Sequence, residues 1–211
     1  MITIKKFIFN FIQVNTFVLN DETKECIIID PGCYSIAEKS QLMDYINANN
    51  LQPIAIVFTH PHIDHVVGAK FVKENFKIPI FAHEKSDSIL SQTQTYALTF
   101  GFENIENIVP DKYLKHGDLL NFGKNNLSVL YTPGHADGSI CLYNKEDGFV
   151  ITGDVIFAQS IGRSDLPTGN HNVLIESIKT HLMTLPDNTD VYPGHGPKTN
   201  IGFERKNNPY L

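Results

Sequence analysis

The chain has 211 residues, 42% of them hydrophobic and 19% charged, with 17 basic and 23 acidic side chains for a formal net charge of −6. That balance is a globular one and excludes a disordered, collagen-like or disulfide-stapled chain. Only Arg163 and Arg205 are arginines and no basic stripe is visible, which points away from nucleic acid and toward a small molecule.

In chain order, residues 2–9, 14–19 and 26–30 read as an opening set of strands joined by turns at Asn10 and Asn20-Asp21. Lys5-Lys6 before Phe7-Ile8-Phe9 faintly imitates a signal peptide, but Asn10, Gln13 and Asn15 interrupt the apolar run, so the segment reads as a strand. Ile36, Leu42, Met43 and Ile46 give a helix over 36–49, and Ile54–Thr59 is a compact apolar strand. A helix follows at 65–75 and a strand at 78–82.

Residues 86–116 carry no clear period, with Tyr96, Phe100 and Phe102 set among polar residues; these rings read as core or as the lining of a pocket. Strands return at 118–122, 127–132, 139–143 and 148–152, then a helix at 171–184, a short strand at Val191-Tyr192 and a terminal helix at 199–206. Two groups of strands, each followed by helices, predict two sheets with helices on their outer faces in a single domain spanning 1–211. No stretch approaches the roughly 18 apolar residues of a membrane helix. Three unpatterned cysteines, Cys26, Cys33 and Cys141, suit a reducing cytoplasm.

The chemistry concentrates in Thr59-His60-Pro61-His62-Ile63-Asp64-His65. Three histidines and an aspartate fall within six residues, directly after an apolar strand, and all four side chains are metal ligands by type. His60 and His62 share a direction in extended chain, while Asp64 and His65 come as the chain turns into a helix, so one loop can serve two metal positions. Three further sites repeat one grammar of apolar strand, sharp turn and ligand: Thr132-Pro133-Gly134-His135, Thr152-Gly153-Asp154 and Pro193-Gly194-His195. Five histidines and two aspartates are enough for two metals, which together form a clamp for hydrolysis.

The ordered string His60-x-His62-x-Asp64-His65, His135, Asp154, His195 resembles the metallo-β-lactamase superfamily. That resemblance implies an αβ/βα sandwich of two mixed sheets with the metals at one edge between them. It implies His60, His62 and His135 at a first site, Asp64, His65 and His195 at a second, and Asp154 as the bridge. A bridging aspartate speaks against a true β-lactamase. Thr152-Gly153-Asp154-Val155-Ile156-Phe157, Gly162-Arg163-Ser164-Asp165 and Tyr192-Pro193-Gly194-His195-Gly196-Pro197, with Asn208-Pro209-Tyr210, are most similar to the short bacterial glyoxalase II-like hydrolases. The C-terminal helical domain that contacts glutathione in the full-length group has no counterpart in this sequence, and Asp165 stands where those proteins have an aromatic residue.

The expectation is a hydrolase of an acyl thioester of the hydroxyacylglutathione type, using a hydroxide held between two divalent metals. Zinc is the first choice and iron or manganese the alternatives. Asp64 and Asp154 are the candidate catalytic carboxylates. Arg163 would hold a substrate carboxylate or pair with Asp165. Asp30, in the turn Asp30-Pro31-Gly32, would orient a ligand or cap its turn. His83, His116, His171 and His181 fall outside the pattern. The rival expectations are an iron-dependent persulfide dioxygenase, a lactonase or phosphodiesterase of the same fold, and a non-enzymatic metal-binding relic.

Overall fold

The computed structural model describes residues 1–211. Its first sheet has the order β1 (Thr3–Phe9), β2 (Val14–Asn20), β3 (Glu25–Ile29), β4 (Gln52–Val57), β5 (Ile80–His83) and β6 (Lys112–Leu114). The first three strands are antiparallel; β3 to β6 run parallel. Helix α1 (Ile36–Ala48) makes the crossover from β3 to β4. The helices α2 (Ile63–Val66) and α3 (Ala69–Phe76) make the next one. A 3-10 turn at Glu84–Ser86 with helices α4 (Asp87–Leu90) and α5 (Thr93–Thr99) leads from β5 toward β6.

The second sheet is built from β7 (Leu119–Phe122), β8 (Asn125–Tyr131), β9 (Ile140–Asn144), β10 (Phe149–Gly153), β13 (Asp190–Pro193) and β14 (Thr199–Asn200), in the spatial order β14-β13-β10-β9-β8-β7. Between β10 and β13 come a small hairpin, β11 (Ile156–Phe157) with β12 (Ser160–Ile161), and helix α6 (His171–Ser177), continued by a π-helical turn over Ile178–Leu182. Helix α7 (Ile201–Asn207) closes the chain.

Period-two alternation explains the layering. Phe17, Leu19, Ile27, Ile29, Ala55 and Val57 point from the first sheet into a core shared with Leu127, Val129, Leu142 and Ile151 of the second. Their strand neighbours Val18, Ile28 and Ile56 point the other way, onto Leu42 and Ile46 of α1 and Val72 of α3. On the far side, Cys141, Val150 and Val191 pack under Leu174, Ile178 and Leu182. Strands buried on both faces read as continuous apolar runs, as in Cys26-Ile27-Ile28-Ile29. The result is the αβ/βα sandwich expected from the sequence.

Local chemistry fixes the ends of these elements. Ser35 caps α1 in a capping box with Glu38, whose second oxygen also accepts from the Asn10 backbone N–H at 2.6 Å. Asp21 ties the β2–β3 turn of one sheet to the β7–β8 turn of the other, accepting from Lys124 N and Asn125 Nδ2, each at 2.7 Å.

Several boundaries differ from the sequence reading. The helix expected at 65–75 is broken between Val66 and Ala69. Gly68 there packs against the 31–33 turn so closely that a Cβ would lie 2.6 Å from the Pro31 carbonyl oxygen. The helix expected at 171–184 shifts to the wider π spacing after Ser177. The strand expected to reach Thr59 leaves its ladder at Val57. Strands β6, β11, β12 and β14 and the short helices over 84–99 were not anticipated; each is too short for its period to register.

Candidate metal centre and its cleft

The strand-end loops after β3, β4, β8, β10 and β13 meet at one edge of the sandwich. Two donor groups converge there, His60 with His62 and His135, and Asp64 with His65 and His195; in each, the donor atoms lie within 4.8 Å of one another. Asp154 lies between the groups. Its Oδ1 is 3.4 Å from His65 Nε2, and its Oδ2 is 3.6 Å from His195 Nε2 and 3.8 Å from His135 Nε2. Asp64 Oδ2 is 3.1 Å from His195 Nε2 and 3.5 Å from His65 Nε2.

Four of the five rings are held from behind. The Nδ1–H of His135 donates to the Arg163 carbonyl at 2.7 Å, and that of His195 to the Gln13 carbonyl at 3.1 Å. His65 donates to Asp30 Oδ2 at 2.9 Å. His60 donates to Thr59 Oγ1 at 3.1 Å, while the Thr59 hydroxyl itself donates to Asp30. A carbonyl or carboxylate can only accept, so these contacts fix each ring with Nδ1 protonated and Nε2 facing the centre. Asp30 also accepts from Thr59 N at 2.7 Å, so one buried carboxylate holds Thr59 and His65 at the two ends of the 59–65 loop. It does so from the Nδ1 side, away from the converging donors.

The electrostatics divide the groups. Burial, and then the neighbouring imidazoles, hold His60 well below the ordinary histidine range. The same two causes bring His62 to about 3, and burial lowers His135. Burial also opposes the charged form of His65 and His195. There the carboxylates of Asp64 and Asp154 outweigh it, so both pKa values rise. Burial pulls Asp64 and Asp154 upward, but His65 and its neighbours more than reverse this and keep both ionised.

Buried polar atoms normally have partners. Here His60 Nε2, His135 Nε2 and Asp154 Oδ1 have none, and His65 Nε2 and His195 Nε2 face each other at 3.3 Å. The inward Nε2 atoms of His60 and His135 and the Asp154 oxygen, without protein donors to meet them, are what divalent cations would satisfy. The donor set fits a binuclear site.

Three contributors lie outside the ligand set read from the sequence. Thr59 links Asp30 to His60. Asn15, buried in β2, donates through Nδ2 to the Pro193 and Gly196 carbonyls at 2.8 and 3.0 Å and so joins the first sheet to the His195 loop. Gly194 leaves room for its neighbours: a Cβ there would strike Asp154 Oδ1 and lie 2.7 Å from His65 Cε1. Behind the centre, buried Glu204 of α7 accepts from Gln159 N and Asn208 Nδ2, each at 2.9 Å, and Asn208 donates to the Ser160 carbonyl. This fastens the β11–β12 hairpin, which runs between Asp154 and the Arg163 carbonyl.

His62, Asp64, His135, Asp154 and His195 form the floor of a cleft of ≈ 180 Å³, with His60 and His65 buried beneath it. Its wall comes from the 10–13 turn (Ile12), helices α4 and α5 with the residue after α5 (Ile89, Tyr96, Phe100), and the 163–167 loop. Of the three aromatic residues expected as core or lining, Tyr96 and Phe100 line the cleft and Phe102 is fully buried, stacked on Phe11 at 4.5 Å. Arg163 lines the cleft too, and both arms of its guanidinium are bonded to Asp165 at 2.7 Å. His83 stacks on Tyr131 and His116 lies beside His181, both pairs outside this cleft. All three cysteines are free and buried, which pushes their thiols up to about 12.

The metallo-β-lactamase superfamily profile matches residues 9–195. The chain is 38% identical to the probable metallo-hydrolase YqgX of Bacillus subtilis, over 95% of this chain and 93% of that one. It is 35% identical to the hydroxyacylglutathione hydrolase GloC of Haemophilus influenzae, over 94% and 93%. Among solved structures it is similar to the BLEG-1 B3 metallo-β-lactamase (TM-score 0.90, 36% identity, 99% of each chain) and to TTHA1623 in a di-iron-bound form (TM-score 0.87, 32% identity, 98% of this chain and 100% of that one). The chain belongs to the metallo-β-lactamase superfamily.

Proposed function

We propose that the protein is a two-metal hydrolase acting on an acyl thioester. The observation that carries this reading is the position of Asp154 between the donor groups, with Oδ1 toward His65 and Oδ2 toward both His195 and His135. In this reading His60, His62 and His135 would hold one metal and Asp64, His65 and His195 the other, with Asp154 available to both. The imidazole and carboxylate donors suit zinc. The di-iron form of the similar TTHA1623 makes iron the competing occupant. When bound, two divalent cations supply Lewis acidity and lower the pKa of water at the site toward neutrality.

The chain's own residues supply the rest. Asp30, Thr59 and the Gln13 and Arg163 carbonyls hold the rings in place, so little reorganisation is needed as charge develops. Asp64 and Asp154 remain carboxylates at neutral pH and accept hydrogen bonds from the attacking water. Hydrolysis joins the water oxygen to the acyl carbon and breaks the C–S bond with its electron pair on sulfur, giving a carboxylate, a thiol and a proton. The similarity to GloC supports the thioester class. The free thiols accord with a reducing cytoplasm.

A second reading, β-lactam hydrolysis, is favoured by the similarity to BLEG-1. Cleavage of S-lactoylglutathione that is lost on chelation and restored by zinc would support the thioesterase. Turnover of a chromogenic cephalosporin without thioester cleavage would replace it with the β-lactamase. Oxygen uptake with glutathione persulfide by an iron-loaded chain would replace it with the dioxygenase.

A further inference from the structure

We propose that the substrate is a thioester whose group flanking the reacting carbon is apolar and uncharged, seated on the wall of Ile12, Ile89, Tyr96, Phe100, Leu166 and Pro167; this rests on the thioester-hydrolase reading above. Three observations carry it. First, these six side chains share one cleft with the metal-facing donors, so a group attached to the reacting carbon has apolar surface within reach. Second, Ile12 and Phe100 are 36% and 40% exposed, and the neighbouring Phe11 is 59% exposed although its ring stacks on Phe102. Apolar surface of this kind beside a reaction centre gains from being covered.

Third, apart from the proposed metals, no side chain of the cleft offers a free cation. No lysine lines it, and its one arginine, Arg163, already binds both oxygens of Asp165. A substrate carboxylate would only exchange one carboxylate for another, and Asp165 is held two residues away on the same loop. A thiol carrier with two carboxylates, such as glutathione, therefore gains little at this point.

The test is a matrix of thioesters on the metal-loaded protein. Acetyl, butyryl and hexanoyl groups are each carried on uncharged N-acetylcysteamine and on glutathione. The expected result is a kcat/KM that climbs with acyl length, by at most about fourfold per methylene, with no advantage for glutathione. Phe100→Ala should flatten the climb. Asp165→Ala, which releases Arg163, should raise kcat/KM for the glutathione esters alone. A flat or falling series, or S-lactoylglutathione turning over tenfold faster than hexanoyl-N-acetylcysteamine, overturns the proposal.

Binding of the amide analogues, with nitrogen in place of sulfur, tests the wall apart from catalysis. Tighter binding of the hexanoyl than of the acetyl analogue by calorimetry supports the apolar wall, and equal binding overturns it. If no thioester is cleaved while the hexanoyl analogue still binds more tightly, the hydrolase reading fails and the wall stands.

Discussion

Floor and wall of the cleft are held by opposite means. On the floor, four imidazoles are each gripped from behind by an oxygen, and the loops that carry them spring from interior strands of two sheets. The wall relies on helices of four and seven residues and on aromatic packing such as Phe11 on Phe102. Isolated helices of that length are not stable, so tertiary contact alone holds them. The floor is built for fixed geometry, which binding charged metals demands. The wall is built for contact area, which tolerates change and sets what binds.

Breaking the floor should have the largest effect. Gly194→Ala places a methyl group against Asp154 and His65. Displacing those donors by even an ångström should lower kcat by about 100-fold or more, with metal content falling in the same preparation.

Asp30→Asn probes the grip rather than the donors. The amide would still accept from Thr59 N, but its NH₂ would face His65 Nδ1 and force that ring to carry its proton on Nε2, toward the centre. Metal affinity should drop by about 10- to 100-fold, as read by chelator competition, with little change in secondary structure by circular dichroism. The wall variant Phe100→Ala should do the reverse, altering substrate preference with metal affinity unchanged.

The smallest effect is expected far from both. Burial pulls the Asp21 pKa up, but donors from Thr23, Lys124 and Asn125 outweigh it and bring the group to about 2, below the ordinary 3.8. A depressed folded pKa gives stability that is complete above the unfolded value and fades as pH falls from near 4 toward 2. Asp21→Asn should cost about 1 kcal/mol at neutral pH, and its stability should decline less steeply than the wild type's over that acid range in urea titrations. Metal content and substrate preference should not move.

The same division decides what could be read from the sequence. The floor was legible because its residue types are rare and dense: four ligand-type side chains within six residues, then three strand-turn-ligand repeats. The two sheets were legible because Ile27–Ile29 and Leu127–Val129 carry strong period-two or continuous apolar patterns. The wall was not, since α4 and α5 are too short to show a helical period and only their burial orders them. Asn15 and Thr59 were missed for a different reason. They are common polar residues whose importance arises from tertiary contacts, Asn15 joining the two sheets and Thr59 joining the loops after β3 and β4. Arg163 shows the limit of charge reading. Its basic side chain drew attention as a substrate clamp, but what it gives the centre is its backbone carbonyl, while the guanidinium is engaged by Asp165.

The most direct test of the binuclear centre is elemental mass spectrometry on protein purified without added metal, compared with Asp154→Ala. The arrangement predicts close to two divalent metals per chain in the wild type and a loss of both, or of all but a weakly held one, in the variant. A wild-type chain that holds a single metal, or a variant that keeps two, would contradict a centre bridged by Asp154.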